Sequence, residues 1–204
     1  MKIDINDLVI TPTKKSFALE HLRACKDTKK NLGNFLDWGI DAPSWSMKQH
    51  LMWTGAAEAM KLPYKSNSVF WQNKLVGVFD LVEGADHYGV QLLYWVRGNY
   101  QGNGIATAVV EMLTEQAFLA SAWDYLEVHI DQANIGSRKV PEKLGFSVEE
   151  TYQMSPMGTK GTGVMDVWVR TNPYSRIVRP AMKEENQRVF GWSQMQRVNA
   201  IPRI

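Results

Sequence analysis

Apolar positions along the chain switch between a period of two and a period of three to four, and the switches mark out the elements. Leu8-Val9-Ile10-Thr11 reads as a short strand stopped by Pro12. From Ser16 to Lys30 the residues Phe17, Leu19, Leu22 and Cys25 recur at helical steps, with Ser16 and Glu20 near the start. A polar stretch studded with Phe35, Trp38 and Trp45 follows. Ser46 is then placed to cap a second helix carrying Leu51, Met52, Ala56, Ala59 and Met60, which ends before Pro63. Residues 68–71 and 75–82 read as strands joined by a connection of hairpin length, Gln72-Asn73-Lys74. After a loop over 83–89, Val90-Gln91-Leu92-Leu93-Tyr94-Trp95-Val96 has the aromatic and β-branched content of a buried strand. Ile105, Ala108, Val109, Met112, Leu113, Gln116, Ala117 and Ala120 then line one face of a long helix, with Glu111 and Glu115 on the other. Tyr125-Leu126-Glu127-Val128-His129-Ile130 is a further strand. A short helix runs from Asn134 to a glycine stop at Gly145, and residues 146–154 and 164–170 form a closing strand pair around the glycine-rich turn 158–163. The order is β-α-α-β-β-β-α-β-α-β-β.

The chain has 204 residues, 45% hydrophobic and 22% charged, which suits one α/β domain with a proper core. A single cysteine, Cys25, excludes an intramolecular disulfide and fits a reducing compartment. Asp4 and Asp7 stand close to Met1 with no apolar run beside them, and no segment approaches the length of a membrane span. The expectation is a cytoplasmic protein with no membrane partner. Over 171–204, Arg176, Arg179, Lys183, Arg188, Arg197 and Arg203 stand against Glu184 and Glu185, a net +4; the whole chain's +2 leaves −2 for the rest. A domain over 1–170 followed by a basic, helical extension over 171–204 is the expected organisation.

The most informative stretch is Tyr100-Gln101-Gly102-Asn103-Gly104-Ile105-Ala106. A turn without bulky side chains that opens onto a helix start offers backbone N–H groups and the positive end of the helix dipole to a phosphate or pyrophosphate. The spacing Gln101-x-x-Gly104-x-Ala106 is neither a dinucleotide-fold fingerprint nor an ATP-binding loop. About thirty residues on comes Asn134-Ile135-Gly136-Ser137-Arg138-Lys139-Val140-Pro141-Glu142-Lys143-Leu144-Gly145-Phe146. Together the two segments resemble the GNAT acetyltransferases, whose motif A reads Gln/Arg-x-x-Gly-x-Gly/Ala and whose next helix ends in Gly-Phe. The form Asn-x-x-Ser…Glu-Lys-Leu-Gly-Phe looks like the RimJ/RimL branch, the ribosomal-protein N-acetyltransferases.

That resemblance, over roughly residues 8–170, implies a GNAT fold: a mixed, mostly antiparallel sheet whose central parallel strands, 90–96 and 125–130, splay apart around acetyl-CoA as cosubstrate. It implies that Gln101, Gly102, Asn103, Gly104, Ile105 and Ala106 hold the pyrophosphate. Tyr94, Trp95 and Val96 would bond the pantetheine arm and offer an N–H to the thioester oxygen. Asn134 would contact the arm, and Ser137 would sit near the sulfur as a proton donor. Pro141 stands where many members carry a tyrosine acid, and Gln91 where RimL-like members carry a glutamate. Glu127 is then the remaining base by position, with His129 on the same side of an alternating strand. Trp38, Trp45, Gln91 and Asp166 are the expected acceptor-side residues, in company with Phe35 and Trp53.

The expected activity is acetyl transfer to a primary amine, best a protein or peptide N-terminus. A small amine as acceptor, and a non-catalytic acyl-CoA-binding module, remain open alternatives. Four histidines and one cysteine at scattered positions make no recognisable metal set, so no metal is expected. The tail has three readings: packing on the domain or on a second subunit of a homodimer through Val189, Phe190 and Trp192; contact with ribosomal nucleic acid; or disorder. Packing is favoured, because three large apolar residues so close together are unusual in a solvated arm.

Overall fold

The computed structural model describes residues 3–61, 64–84, 86, 88–120 and 123–175. The expected tail helix therefore lies outside the described residues beyond Ser175. One seven-stranded sheet runs through the domain in the order β1-β2-β3-β4-β5-β7-β6. Its strands are β1 (Val9–Pro12), β2 (Lys65–Trp71), β3 (Lys74–Glu83), β4 (Gly89–Val96), β5 (Tyr125–Asp131), β6 (Ser147–Gln153) and β7 (Val164–Thr171). All pairings are antiparallel except β4 with β5. The helices are α1 (Ala18–Asp27), α2 (Asp37–Asp41), α3 (Met47–Glu58), α4 (Ile105–Leu119) and α5 (Ile135–Lys143).

Strand alternation sends successive side chains to opposite faces, and each face has its own core. On one face Leu92, Val96, Leu126, Val128 and Ile130 pack with Ile105, Val109 and Leu113 of α4 and Val140 of α5. On the other, Leu75, Val78 and Trp95 pack with Ala24 and Cys25 of α1 and Trp53 of α3. The expected elements are all present, with three shifts. Pro12 belongs to the β1 ladder opposite Asn67, which an edge strand tolerates because the missing N–H faces outward. β2 starts at Lys65 rather than residue 68, because buried Ser66 and Ser68 bond the Thr13 hydroxyl at 2.8 and 2.9 Å and so lie comfortably inside. The aromatic-studded stretch contains the short α2. The folded unit also reaches past Arg170: Asn172 is buried and donates to the carbonyl of Trp123 at 2.8 Å.

Local chemistry sets the elements nearest the site. Ser46 and Gln49 form a reciprocal capping box at the start of α3, with Ser46 N–H donating to Gln49 Oε1 at 2.8 Å. Gln72 and Asn73 both have positive φ, the two-residue turn that matches strand twist. Arg97 is buried and donates to the Asp27 carboxylate at 2.9 Å and the Leu75 carbonyl at 3.0 Å. The turn that follows β4 is thereby tied to the end of α1.

Candidate active site

β4 and β5 are register partners only at Gly89–Tyr125, Val90–Leu126 and Gln91–Glu127. Beyond that they diverge, so β4 from Leu92 to Val96 has no strand partner on this side. A cavity of about 660 Å³ fills the gap. Its wall includes Leu92, Tyr94 and Val96 with Val128 and Ile130, which face α4 and α5, and also Leu93 and Trp95 with His129 and Asp131, which face the other way. The cavity therefore passes through the sheet from one face to the other.

At the α4 end it is lined by Gln101, Gly102, Gly104, Ile105, Ala106 and Thr107. Gly104 is the N-cap of α4 with φ of 81° and makes no side-chain cap bond. The first N–H groups of a helix have no intrahelical partner, so here they point into the cavity unclaimed by a cap. α5 is different, since Asn134 Oδ1 accepts from Ser137 N–H at 3.2 Å. A side chain at Gly102 would meet nothing within 4 Å, and at Gly104 only Ile5 Cδ1 at 3.9 Å. Positive φ, not crowding, reserves these two positions for glycine. Gln101 Nε2 donates to the Val96 carbonyl at 3.0 Å, closing the end of β4. Asn103 was expected to hold the ligand, but its amide bonds the carbonyls of Tyr100 and Gln101, both at 3.1 Å, and it shapes the turn instead of lining the cavity.

The two ends are bridged by Tyr94, which stacks on Phe79 at 5.5 Å and donates to the Ser137 carbonyl at 3.2 Å across the cleft. Burial pushes the Tyr94 hydroxyl well up, so it stays protonated. Asn134, Gly136 and Ser137 line the same stretch, and Lys139 and Lys143, one turn apart on α5, add two ammonium groups to the rim.

Three expected residues are placed elsewhere, for one topological reason each. Gln91 and Glu127 form the last paired position before the strands part, so they close the vertex and do not line the cavity. Both are 1% exposed. Asp166 lies opposite Ile130 and so points to the α5 face. There it accepts from Gln132 at 2.7 Å and Thr151 at 2.9 Å and pairs with Arg138 at 3.1 Å. That makes it a strut between β7 and α5, on the face opposite the aromatic wall. His129 does line the cavity, with Nδ1 3.0 Å from the Tyr152 hydroxyl and Nε2 3.2 Å from Glu127 Oε1.

The face opposite α4 carries the aromatic wall. Trp38, Trp53 and Trp95 line the cavity, with Trp38 about equally far, 6.1 Å, from both Trp53 and Trp95. Trp45 was expected in this wall; it stands behind it, 6.0 Å from Trp38, and lies off the cavity. The 157–163 loop closes this side by docking on the α2 region. Gly158 N–H donates to Asp37 Oδ1 at 2.6 Å, and Thr159 and Lys160 N–H donate to the Gly33 and Asn34 carbonyls, both at 2.8 Å. Asp131 pins the other end, accepting from the N–H groups of Thr162 at 2.7 Å and Gly163 at 2.9 Å. Burial alone would raise the Asp131 carboxyl, but these donors and Ala133 N–H pull it below its usual value.

One wall residue was missed in the sequence. Asp80, on β3, is 5% exposed and lines the cavity, and its Oδ1 has no hydrogen-bond partner. Burial raises its carboxyl to about 7 against a bond from Ser66 that lowers it. The signal was there: an acidic residue inside the apolar run Val76 to Val82 has to be held or used.

The supposedly scattered metal-type residues also converge. His21, Cys25 and His50 bring their donor atoms within 4.8 Å of one another under α1 and α3. His21 Nδ1 lies 2.8 Å from His50 Nδ1, a hydrogen bond between neutral rings. Two nitrogens on one tetrahedral zinc would stand about 3.3 Å apart, from the usual Zn–N length. Burial lowers His21 to about 3, helped by His50 beside it, which disfavours a second positive ring; burial and Lys26 lower His50 to about 4, and burial raises the Cys25 thiol. His21 stacks on Trp53 at 4.2 Å, so this neutral cluster backs the aromatic wall.

Comparison with known proteins gives the same architecture. The chain superposes on the microcin C7 self-immunity acetyltransferase MccE, solved with acetyl-CoA and AMP, with a TM-score of 0.73 at 16% identity, covering 83% of this chain and 96% of that one. It superposes on RimL, the ribosomal L7/L12 alpha-N-protein acetyltransferase solved with coenzyme A, with a TM-score of 0.73 at 16% identity, covering 81% and 94%. For the ribosomal-protein-S5-alanine acetyltransferase of Vibrio fischeri the values are 0.68, 17%, 85% and 98%. No curated protein matches the sequence. The family model of the acetyltransferase (GNAT) domain matches residues 18–147, well over half of the chain and spanning both the glycine turn and α5. The chain belongs to the GNAT acetyltransferase family.

Proposed function

We propose that this protein is an acetyl-CoA-dependent N-acetyltransferase that acts on a peptide or protein α-amine. The observation that carries the reading is the through-sheet cleft, which joins an uncapped helix N-terminus on one face to an aromatic wall on the other. The residues present fit acetyl-CoA. The free N–H groups at the start of α4 suit a pyrophosphate, with Lys139 and Lys143 nearby as counter-charges. The unpaired edge of β4 beyond Gln91 suits the pantetheine amides. When bound, acetyl-CoA supplies an acetyl thioester. The chain's own groups then do the rest: a β4 N–H between Tyr94 and Val96 stabilises the developing oxyanion, and Asn134 and Ser137 border the sulfur end. With Gln91 and Glu127 shut in at the vertex, neither is assigned the proton.

A peptide acceptor is supported by the fold likeness to RimL and the S5-alanine acetyltransferase, and by a cavity of about 660 Å³ that continues past β4 to the Trp38 wall. An α-amine has an unperturbed pKa of about 7.7–8.0, so a useful fraction is neutral near pH 7 and positioning contributes much of the rate. The likeness to MccE, a microcin C7 self-immunity acetyltransferase, supports a second reading, a small-molecule amine as acceptor. Competition decides between them: acetyl-CoA is offered a mixture of short peptides, polyamines and aminoacyl compounds, and products are identified by mass. Peptide N-termini should be acetylated with the highest kcat/KM. Preferential acetylation of the small amines would replace the peptide reading.

A further inference from the structure

Among the described residues, the sheet face under α1 and α3 carries one cavity-lining carboxyl that protein groups leave partly unsatisfied. Asp80 and Asp131 make the contrast clear. Both are 5% exposed and both line the cavity. Asp131 accepts from Ala133, Thr162 and Gly163 and is spent on holding the loop. Asp80 keeps Oδ1 without a donor, and no Lys, Arg or His among the described residues pairs with it. A buried polar atom without a partner costs on the order of 1–3 kcal/mol, so a retained one calls for an explanation.

Position supplies it. Asp80 is the register partner of Leu93 on β4, so its side chain shares the face of Leu93 and Trp95. Leu93 and Trp95 line the aromatic half of the cavity, together with Trp38 and Trp53. Indole faces and a carboxylate together form a receptor for an ammonium group. The competing base, His129, presents one ring nitrogen to Tyr152 and the other to Glu127. Its nitrogens are engaged within the protein, whereas Asp80 Oδ1 is not.

We propose that Asp80 and the Trp38–Trp53–Trp95 wall are the acceptor subsite, where Oδ1 anchors a primary ammonium and takes its proton. This deepens the acetyltransferase reading and rests on it. The ammonium gives one proton to Oδ1, and the neutral nitrogen forms a bond to the thioester carbonyl carbon. The C–S bond then breaks, the nitrogen's second proton ends on the departing thiolate, and Asp80 returns its proton to water. The acceptor class that follows is a primary ammonium with an apolar or aromatic group beside it. The other titratable groups on this face are Tyr125, Glu127, His129 and Asp131 on β5, Glu150 and Tyr152 on β6, and His21, Cys25 and His50 beneath the wall.

The test is Asp80→Asn, read two ways. In steady state, kcat/KM for the acceptor should fall by about 100-fold or more, the pH profile should lose its limb near neutrality, and acetyl-CoA affinity should stay the same. A variant within about twofold of wild type that keeps the limb overturns the proposal. The second reading needs no turnover: carboxyl NMR of aspartate-labelled protein with coenzyme A bound, titrated with methylammonium, using the variant to assign Asp80. The Asp80 signal should titrate near neutrality and move to lower pH as methylammonium is added. A signal that titrates in the ordinary acidic range, or ignores methylammonium, overturns the assignment. Failure to acetylate any amine would sink the acetyltransferase reading alone, and the NMR titration would still decide Asp80.

Discussion

Gln91 and Glu127 face each other as the last register pair of β4 and β5, and the cleft begins at the next residue. Everything expected of Glu127 by its place on the strand depends on that one-residue boundary. A side chain inside the paired stretch is sealed at the vertex, while His129, one alternation further, reaches the cavity. Replacing Glu127 with Gln should therefore keep the neutral limb of the pH–rate profile, in contrast to Asp80→Asn. A profile flattened by the Glu127 change would return the base role to Glu127.

Gly104 is held at φ of 81° where α4 begins. A β-branched residue there costs about 1–2 kcal/mol in backbone strain and misaims the first N–H groups of the helix. Because a Cβ would meet only Ile5 Cδ1 at 3.9 Å, the fold should survive. Gly104→Val should weaken acetyl-CoA binding by tenfold or more, roughly 1.4 kcal/mol, in a calorimetric titration, with an unchanged circular dichroism spectrum. Unaltered affinity would detach the glycine turn from cosubstrate binding.

Asp80 has its folded-state carboxyl raised to about 7 from 3.8, so its contribution to stability is fully present below 3.8 and is lost progressively as pH rises from there through 7. Asparagine carries no such penalty. Asp80→Asn should leave the unfolding midpoint little changed below pH 3.8, raise it progressively as pH climbs toward 7, and hold the gain above that, by a few kcal/mol at the most. Urea titrations across that range check it; a variant less stable than wild type at alkaline pH would contradict the assignment.

His21 and His50 run the other way. Their folded-state values are lowered to about 3 and 4, so their contribution is complete above the unfolded value of 6.5 and drains away as pH falls toward 4. Wild type should lose stability steeply over that interval, and His50→Gln should shallow the slope. The Cys25 thiol in the same cluster, fully buried and raised, should resist alkylation until the protein unfolds.

Asp131 fixes the 157–163 loop over the acceptor side. Asp131→Ala should strand several buried N–H groups, lower stability by about 1–3 kcal/mol, and open Lys160 to trypsin. The acceptor KM should rise more than kcat falls. A loop still protected in the variant would show that the docking on Asp37, Gly33 and Asn34 is sufficient.

The sequence was most legible where local chemistry decides. The capping box at Ser46, the turn at Gln72-Asn73, the glycine N-cap of α4 and the αL glycine at 145 are all set by residues within a few positions of one another. It was least legible where partners are distant. Ser66 and Ser68 enter β2 because Thr13, more than fifty positions away, bonds them. The i,i+4 pair His21 and Cys25 could be read on one helix face, but His50 arrives from α3. Asp166 follows Met165, which lines the cavity, yet points away, since face depends on register that spacing alone does not reveal. Asp80 was hidden the same way: its place opposite Leu93 exists only once β3 and β4 pair.

Acetyl transfer itself is the claim to test first. Free thiol is measured as acetyl-CoA is mixed with the protein and a pool of peptides bearing free N-termini, and peptide masses are recorded in parallel. One coenzyme A thiol should appear for each acetylated peptide amine. Acetyl-CoA that binds but yields no thiol with any amine would contradict the account and leave the cleft as a binding site without chemistry.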